Sequence, residues 1–350
     1  MTTNRNLKRK VRARAAKTGE SYTSALRHLA PDPVRDVVPD GDHLRIAVAQ
    51  SIVRGDPSRR DQLQGSGRDI RRLMRQAHDG GARLIHFGEG ATCWPDKHLM
   101  SVDGPDEVGP SDWDRVAWDA LAEELASIAA LAAELDLWTV LGSVHRLTPP
   151  HRPHNSLYVI SDEGAVVTRY DERMLSSTKL RFMYTPGSEP VTFEVDGMRF
   201  GCSLGMEVHF PELFLEYERL DVDCVLFSTM AHARPVLDAD RTGLDEVGPP
   251  VVLNPEVFAA EALAHAATNS YWVSYAGSAQ DAPFAPSGVV GPNGRWLARC
   301  PHEAVPAVAI VDLDAGAENL ARPWRRTVRA GVYDDHLVRD DPRSLDRSGF

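Results

Sequence analysis

The sequence predicts an α/β protein built from a mixed sheet system layered by helices. Three observations carry this. Short apolar runs alternate with helical stripes over 44–144, two hairpins follow at 156–170 and 191–204, and the last strands flank an Ala-rich helix at 256–268. Strands joined through helices can pair in parallel, and hairpins must pair antiparallel, so the sheets are mixed.

The elements follow in order. Residues 44–50 alternate apolar with polar or small side chains, as a strand does. Ile70, Leu73, Met74 and Ala77 stand at i, i+3, i+4 and i+7, a helical stripe that Gly80 and Gly81 end. Residues 84–87 make a short buried strand. Leu121, Leu125, Ile128 and Leu135 mark a long helix, and 137–144 is the next strand. Strands at 156–160 and 166–170 flank Asp162-Glu-Gly164, and those at 191–195 and 199–204 flank Asp196-Gly197, a tight-turn pair in which Gly accepts positive φ. Residues 224–227 form an apolar strand. Pro255 precedes the helix at 256–268, a position it favours near a helix start. Strands at 271–276, 288–290 and 307–312 finish the pattern, with Pro292-Asn-Gly294 as a turn.

The chain has 350 residues and a net charge of −11. Residues 1–29 hold eight Lys/Arg against Glu20 alone, so the acidic excess lies entirely in the body. An acidic body repels nucleic acid and anionic membrane, and only the basic arm could do otherwise. That arm, residues 1–43, reads as an extension with short helices at 8–16 and 21–29 before Pro31 and Pro33. Residues 15–26 faintly resemble the helical part of ribbon-helix-helix antitoxins, but the strand those proteins need is not evident. A nucleic-acid role is therefore the minor reading. No run of about 18 apolar residues is present, so no membrane span is expected. The four cysteines, Cys93, Cys202, Cys224 and Cys300, lie far apart without a C-x-x-C pair, and a reducing cytoplasm is the simpler expectation.

Four stretches in order resemble the nitrilase, or carbon–nitrogen hydrolase, superfamily. They are Leu84-Ile-His-Phe-Gly-Glu89, the hairpin from Asn155 through Gly164 to Arg169-Tyr170, Phe200-Gly201 through Phe210-Pro211-Glu212, and Val290-Gly-Pro-Asn-Gly294. The resemblance implies a four-layer α-β-β-α sandwich over 44–315, a C-terminal arm at 316–350 that includes Arg322-Pro-Trp-Arg-Arg326, and a homodimer or larger homo-oligomer. It also implies a Glu–Lys–Cys site in which the thiolate attacks an amide or nitrile carbon, the Glu moves protons and the Lys steadies developing charge.

Carried over by position, the glutamate is Glu89, preceded by Gly88 where the family prefers Pro. The lysine position is Glu172, and the cysteine position, seven residues before Glu212, is Gly205. The triad is thus reduced to Glu89. Cys202, at an odd offset from Gly205, points to the opposite strand face as a core thiol. Ser203 lies roughly 6.6 Å back along the strand, too far for attack. Cys93 is a pocket candidate on a mouth loop, with simple loop packing as the alternative. Glu207 and His209 are further pocket candidates. A metal held by Glu89, Glu172, Glu207 and His209 lacks helical His-x-x-His spacing, so neither metal nor cofactor is expected. Lys179 is expected as a solvated loop lysine. Asn155 and Asp196 are expected at turns and strand ends, and His145 and His265 as packed or surface residues.

The expectation is a hydrolytically inactive homologue that binds a small molecule or serves as an assembly partner. The competing readings are an enzyme running altered chemistry through Glu89 and Glu172, a carbon–nitrogen hydrolase in another register, and a regulator using the basic arm. In the family's pocket the Glu and Lys positions face each other. Glu89 and Glu172 would then share a proton or hold a cation, such as Arg173 or Lys179, and the pocket would favour cationic ligands.

Overall fold

The computed structural model describes Lys17 and residues 43–230, 255–314 and 321–333. The chain divides into two units, residues 1–42 and 43–350. The helices expected at 8–16 and 21–29, and any nucleic-acid role of that arm, lie outside the described residues.

Two six-stranded sheets form the centre. The first contains β1 (His43–Gln50), β2 (Leu84–His86), β3 (Trp138–His145), β4 (His154–Ile160), β5 (Val166–Asp171) and β12 (Ala307–Asp314), in the order β12-β1-β2-β3-β4-β5. Strands β1, β2 and β3 run parallel, and the flanking pairs are antiparallel. The second contains β6 (Thr192–Val195), β7 (Met198–Leu204), β8 (Cys224–Ser228), β9 (Trp272–Ala276), β10 (Gly288–Val290) and β11 (Trp296–Arg299), in the order β11-β10-β9-β8-β7-β6. Here β7, β8 and β9 are parallel and the outer pairs antiparallel. Each sheet thus has a parallel centre, made by helical crossovers, and antiparallel edges.

Burial separates the layers. Ile46, Val48, Val140, Leu157 and Tyr170 of the first sheet meet Phe200, Cys202, Leu204 and Leu226 of the second in one apolar core. The alternate residues Ala47, Ala49, Ile85 and Leu141 face Ile70, Leu73 and Met74 of α1 (Arg60–Asp79) and Ile128 and Leu131 of α2 (Trp118–Glu134). On the far side, Val225, Phe227, Val273 and Tyr275 face Phe214 and Tyr217 of α3 (Pro211–Arg219) and Phe258 and Ala262 of α4 (Pro255–Asn269). Period-two alternation in the strands and a one-sided stripe on each helix therefore give the expected four layers. No described helix is long and apolar enough to cross a membrane.

Three of the strands and α-helices escaped the sequence reading. Pro211 starts α3 as its first residue, where a missing N–H costs nothing. β11 pairs with β10 across the Pro292-Asn-Gly294 turn with a register shift between Val289 and Val290. In the C-terminal arm, α5 (Ala321–Tyr333) is helical, and the Arg326 guanidinium pairs with Glu218 at 2.7 Å and Asp221 at 2.5 Å. Asp196 takes positive φ in its tight turn, as expected, and its carboxylate holds Arg83 at 2.9 Å.

One polar chain runs between the sheets. His86 Nδ1 meets Ser274 Oγ at 2.9 Å, His86 Nε2 meets Ser228 Oγ at 2.7 Å, and Ser228 Oγ donates to the Phe87 carbonyl at 3.0 Å. Burial pushes the imidazole down to about 3, so the ring is neutral.

Candidate functional site

The carboxyl ends of strands from both sheets converge on one point. Glu89 lies three residues past β2, Glu172 directly follows β5, Gly205 directly follows β7, and Met230 lies two residues past β8. Ligands of open α/β sheets gather at such carboxyl ends.

Glu89 is held by backbone. Phe87 N–H donates to Val140 O at 2.8 Å and Thr92 N–H to Gly142 O at 3.1 Å, which tucks the turn against β3. Gly142 permits this, since a Cβ there would collide with the Gly88 carbonyl oxygen. The Met230 N–H donates to Glu89 Oε2 at 3.1 Å. Glu172 is fixed by its own N–H on Asn155 O, at 2.9 Å, and by Gly187 N–H on its carbonyl, also at 2.9 Å.

Asn155, expected to be a strand-end residue of no chemical interest, is central to the site. Its Nδ2 donates to Glu89 Oε1 at 2.8 Å and to Glu172 Oε2 at 2.6 Å. The two N–H groups of one amide thus bridge the two carboxylates.

Lys179 also departs from expectation. Its side chain is only 11% exposed, against 1% for Glu89 and 0% for Glu172. Nζ donates to Glu89 Oε1 and, at 2.8 Å, to Glu172 Oε2. It also lies 5.6 Å from the centre of the Trp94 ring, within cation–π range. The reason is the local backbone. Residues Lys179–Met183 form a π-turn, closed by Tyr184 N–H on Lys179 O at 2.8 Å. Arg152 clasps its outer side through the Leu180 and Arg181 carbonyls at 2.8 and 2.5 Å. A π-turn inserts an extra residue and re-aims a side chain that ordinary helical phase would point elsewhere. Of the two cations considered, Lys179 enters. Arg173 instead pairs with Glu216 at 2.8 Å and donates to Tyr170 Oη at 3.1 Å.

The charges do not balance. Burial pushes the Glu172 carboxyl up from its ordinary 4.5 to about 7, with Lys179 pulling it down and Glu89 and Glu207 pushing it further up. Burial lowers the Lys179 ammonium, but the two carboxylates outweigh it and the net shift is upward. Glu172 Oε2 receives both Asn155 and Lys179, while Oε1 has no hydrogen-bond partner among the described residues.

Gly205 forms the floor. Its φ is +55°, a left-handed value that favours glycine. A Cβ there would stand 2.6 Å from Glu172 Oε1 and 3.0 Å from Lys179 Nζ. The volume a side chain would need is taken by the carboxylate and the ammonium.

The other candidates are engaged elsewhere. Glu207 accepts from Tyr170 Oη at 2.7 Å, Arg173 N–H at 2.7 Å, Leu204 N–H at 2.8 Å and Ser203 Oγ at 3.1 Å. His209 Nδ1 pairs with Glu261 of α4 at 2.6 Å, and its ring meets Phe258 edge-on. Cys93 is buried among Leu63, Leu121, Val144 and Tyr184, and burial pushes its thiol up to about 12. Cys202 sits in the inter-sheet core as expected, its thiol also raised by burial. His265 stacks on Phe214 at 3.9 Å, and His145 meets Tyr158 Oη at 2.7 Å. Asn155 and Trp94 are thus what the sequence reading missed, while Lys179 was named there as one of two possible cations for the carboxylates but otherwise expected as a solvated loop lysine. The one signal for the lysine was its nearness to Glu172, a carboxylate standing where a cation was due.

Comparison with known proteins places the chain. Hydrolase Rv0480c and hydrolase MT0498, from two strains of Mycobacterium tuberculosis, are each 26% identical over 182 residues, which cover 50% of this chain and 57% of each relative. The match therefore spans little more than half the length of these curated relatives. Among solved structures, a cysteine-to-alanine mutant of Nesterenkonia AN1 amidase from the nitrilase superfamily superposes with a TM-score of 0.60 at 18% identity, covering 86% of this chain and all of that one. Another mutant of that amidase, showing covalent addition of the acetamide moiety of fluoroacetamide at its active-site cysteine, gives 0.58 at 19% identity, with 86% and 100% coverage. These likenesses share the two-sheet fold described above. The carbon-nitrogen hydrolase family model matches residues 45–323, most of the chain, and the protein belongs to that family.

Proposed function

We propose that this family member does not hydrolyse carbon–nitrogen bonds through a thioester, and that it binds a small molecule as a ligand-holding or assembly partner within a homo-oligomer. One observation carries the reading. Gly205, where the resemblance would put the nucleophilic cysteine, offers no side chain, and the space a thiol would need is taken by Glu172 and Lys179. Cys93, four residues past Glu89, supports it too, because a thiol raised to about 12 is almost wholly protonated at neutral pH.

The test is acyl trapping. The full chain, incubated with small amides and nitriles, is expected to show no acyl mass on any cysteine by intact-protein and peptide mass spectrometry. Ammonia release should stay at background, since loss of the nucleophile in a well-studied hydrolase cost on the order of 10⁶-fold in turnover. Stoichiometric acylation of a cysteine would sink the reading. Gly205→Cys alone should not restore hydrolysis, because the new side chain meets Glu172 and Lys179 at once.

A second reading has one observation of its own. A carboxyl at about 7 holds a proton near neutral pH and suits a general acid, which favours an enzyme working through Glu89 and Glu172. Turnover of any substrate that is lost in Glu172→Gln and falls as pH rises through 7 would move the conclusion there.

A further inference from the structure

The Glu89–Glu172–Lys179 cluster has the parts of a recognition site whose occupant is already in place. Two buried carboxylates and the face of Trp94 surround one primary ammonium. Asn155 spends both amide protons on holding the carboxylates together. Among the described residues, the ammonium's contacts are with these two carboxylates and the Trp94 ring.

The occupant is an imperfect fit. It is tethered through the π-turn, and it engages Glu89 Oε1 and Glu172 Oε2 while Glu172 Oε1, fully buried and directed at the bare Cα side of Gly205, receives no donor among the described residues. A buried carboxylate oxygen without a donor is costly, and a guest with freely placed N–H groups could meet it. Lys179 is also the most exposed of the three charged groups, at 11% against 1% for Glu89 and 0% for Glu172.

We infer that Glu89, Glu172, Asn155 and Trp94 form a cage for a primary ammonium ion, with Lys179 as its internal stand-in, and that the ligand of this protein is a small primary amine that displaces Lys179. This rests on the binding reading above and names its ligand class. Charge disfavours the neutral alternative wherever both carboxylates are ionised. With Lys179 withdrawn, a neutral guest of equal size would leave two carboxylates facing each other with only Asn155 between them, whereas an ammonium restores the balance. A quaternary ammonium has no N–H for either carboxylate and should bind poorly despite its charge.

The tether sets the affinity pattern. A side chain already at the site competes at an effective concentration in the millimolar range or above. Removing it should therefore tighten amine binding.

The experiment uses the full chain as wild type and as Lys179→Ala, with n-butylammonium, tetramethylammonium and n-butanol at equal ionic strength. Butylammonium should raise the melting temperature of Lys179→Ala by several degrees and bind it at least tenfold more tightly than wild type. Butanol and tetramethylammonium should do neither. An equal response to butanol or tetramethylammonium, or no response to butylammonium, overturns the cage. If Lys179→Ala does not fold, wild type serves. The ¹H–¹⁵N resonance of the buried Lys179 ammonium should shift or vanish as butylammonium is added, and a resonance unmoved at saturating amine overturns the proposal. Acyl trapping on a cysteine would remove the functional reading and leave this result standing. Failure of amine binding without acylation would remove the cage alone.

Discussion

Two buried glutamates, Glu207 and Glu172, stand at the same end of the sandwich and have opposite characters. Glu207 is met by the Tyr170 hydroxyl, the Ser203 hydroxyl and the N–H groups of Leu204 and Arg173. Burial still raises its carboxyl, but these donors pull it back. Glu172 shares one oxygen between Asn155 and Lys179, leaves the other without a donor, and faces Glu89. The difference is one of satisfaction. Backbone and hydroxyl donors make Glu207 a strut that fixes the turn carrying Gly205, whereas Glu172 is held chiefly by a charge that can leave. Burial alone does not separate a structural carboxylate from a functional one; the donor count does.

Substitution can break this contrast. Lys179→Met should have the largest effect, a loss of about 3–5 kcal/mol at pH 8, because it strands two buried carboxylates. Urea unfolding would check it, and a loss below about 1 kcal/mol would show that the ammonium is dispensable there. Glu207→Gln comes next. It exchanges a charged acceptor for an amide among four donors and should cost about 2–3 kcal/mol, with little dependence on amines. A response of that variant to butylammonium as large as that of wild type with Lys179 removed would erase the distinction between the two carboxylates.

The smallest effect concerns pH. The Glu172 carboxyl is raised on folding from 4.5 to about 7, so the folded chain holds that proton more tightly. Its stabilising contribution is complete below about 4.5 and is lost as pH rises through 7. Glu172→Gln has no such proton. The stability advantage of wild type over Glu172→Gln should therefore shrink between pH 5 and pH 8, by about 2 kcal/mol. Denaturant melts at the two pH values measure this directly, and a constant or widening gap would place the proton elsewhere.

The architecture was readable because it rests on periodicity. Ile46, Val48 and their neighbours alternate toward one core and Ala47 and Ala49 toward the other, and the stripe Ile70, Leu73, Met74, Ala77 faces the sheet as spaced. Glu89, Glu172 and Gly205 were also reachable, but through the ordered motifs of the family resemblance rather than through the apolar pattern. Lys179 was not. It follows Glu172 by seven residues in a loop, and only the π-turn decides that its side chain points inward. No hydrophobic period encodes such a turn. Asn155 was misread for a different reason. Its residue type suits turns, and its value comes from a partner, Glu89, that is 66 residues away in sequence. Helix α3 hid because its nine residues are too few for a repeating stripe to be recognised.

The chain through His86 has a direction. Ser228 gives its only hydroxyl proton to the Phe87 carbonyl, so it must accept from Nε2, and the proton on Nε2 obliges Nδ1 to accept from Ser274. The ring is therefore locked in one tautomer by an ordered sequence of donations, Ser274 to His86, His86 to Ser228 and Ser228 to Phe87, that passes back and forth between the sheets. Reversing it would require both serines to turn and the Phe87 carbonyl to lose its donor. Since the imidazole stays uncharged down to about 3, acid does not scramble the order within the physiological range. The end of β2, three residues before Glu89, is thus anchored by a one-way polarity that neither thermal rotation of a single group nor an ordinary change of pH can undo.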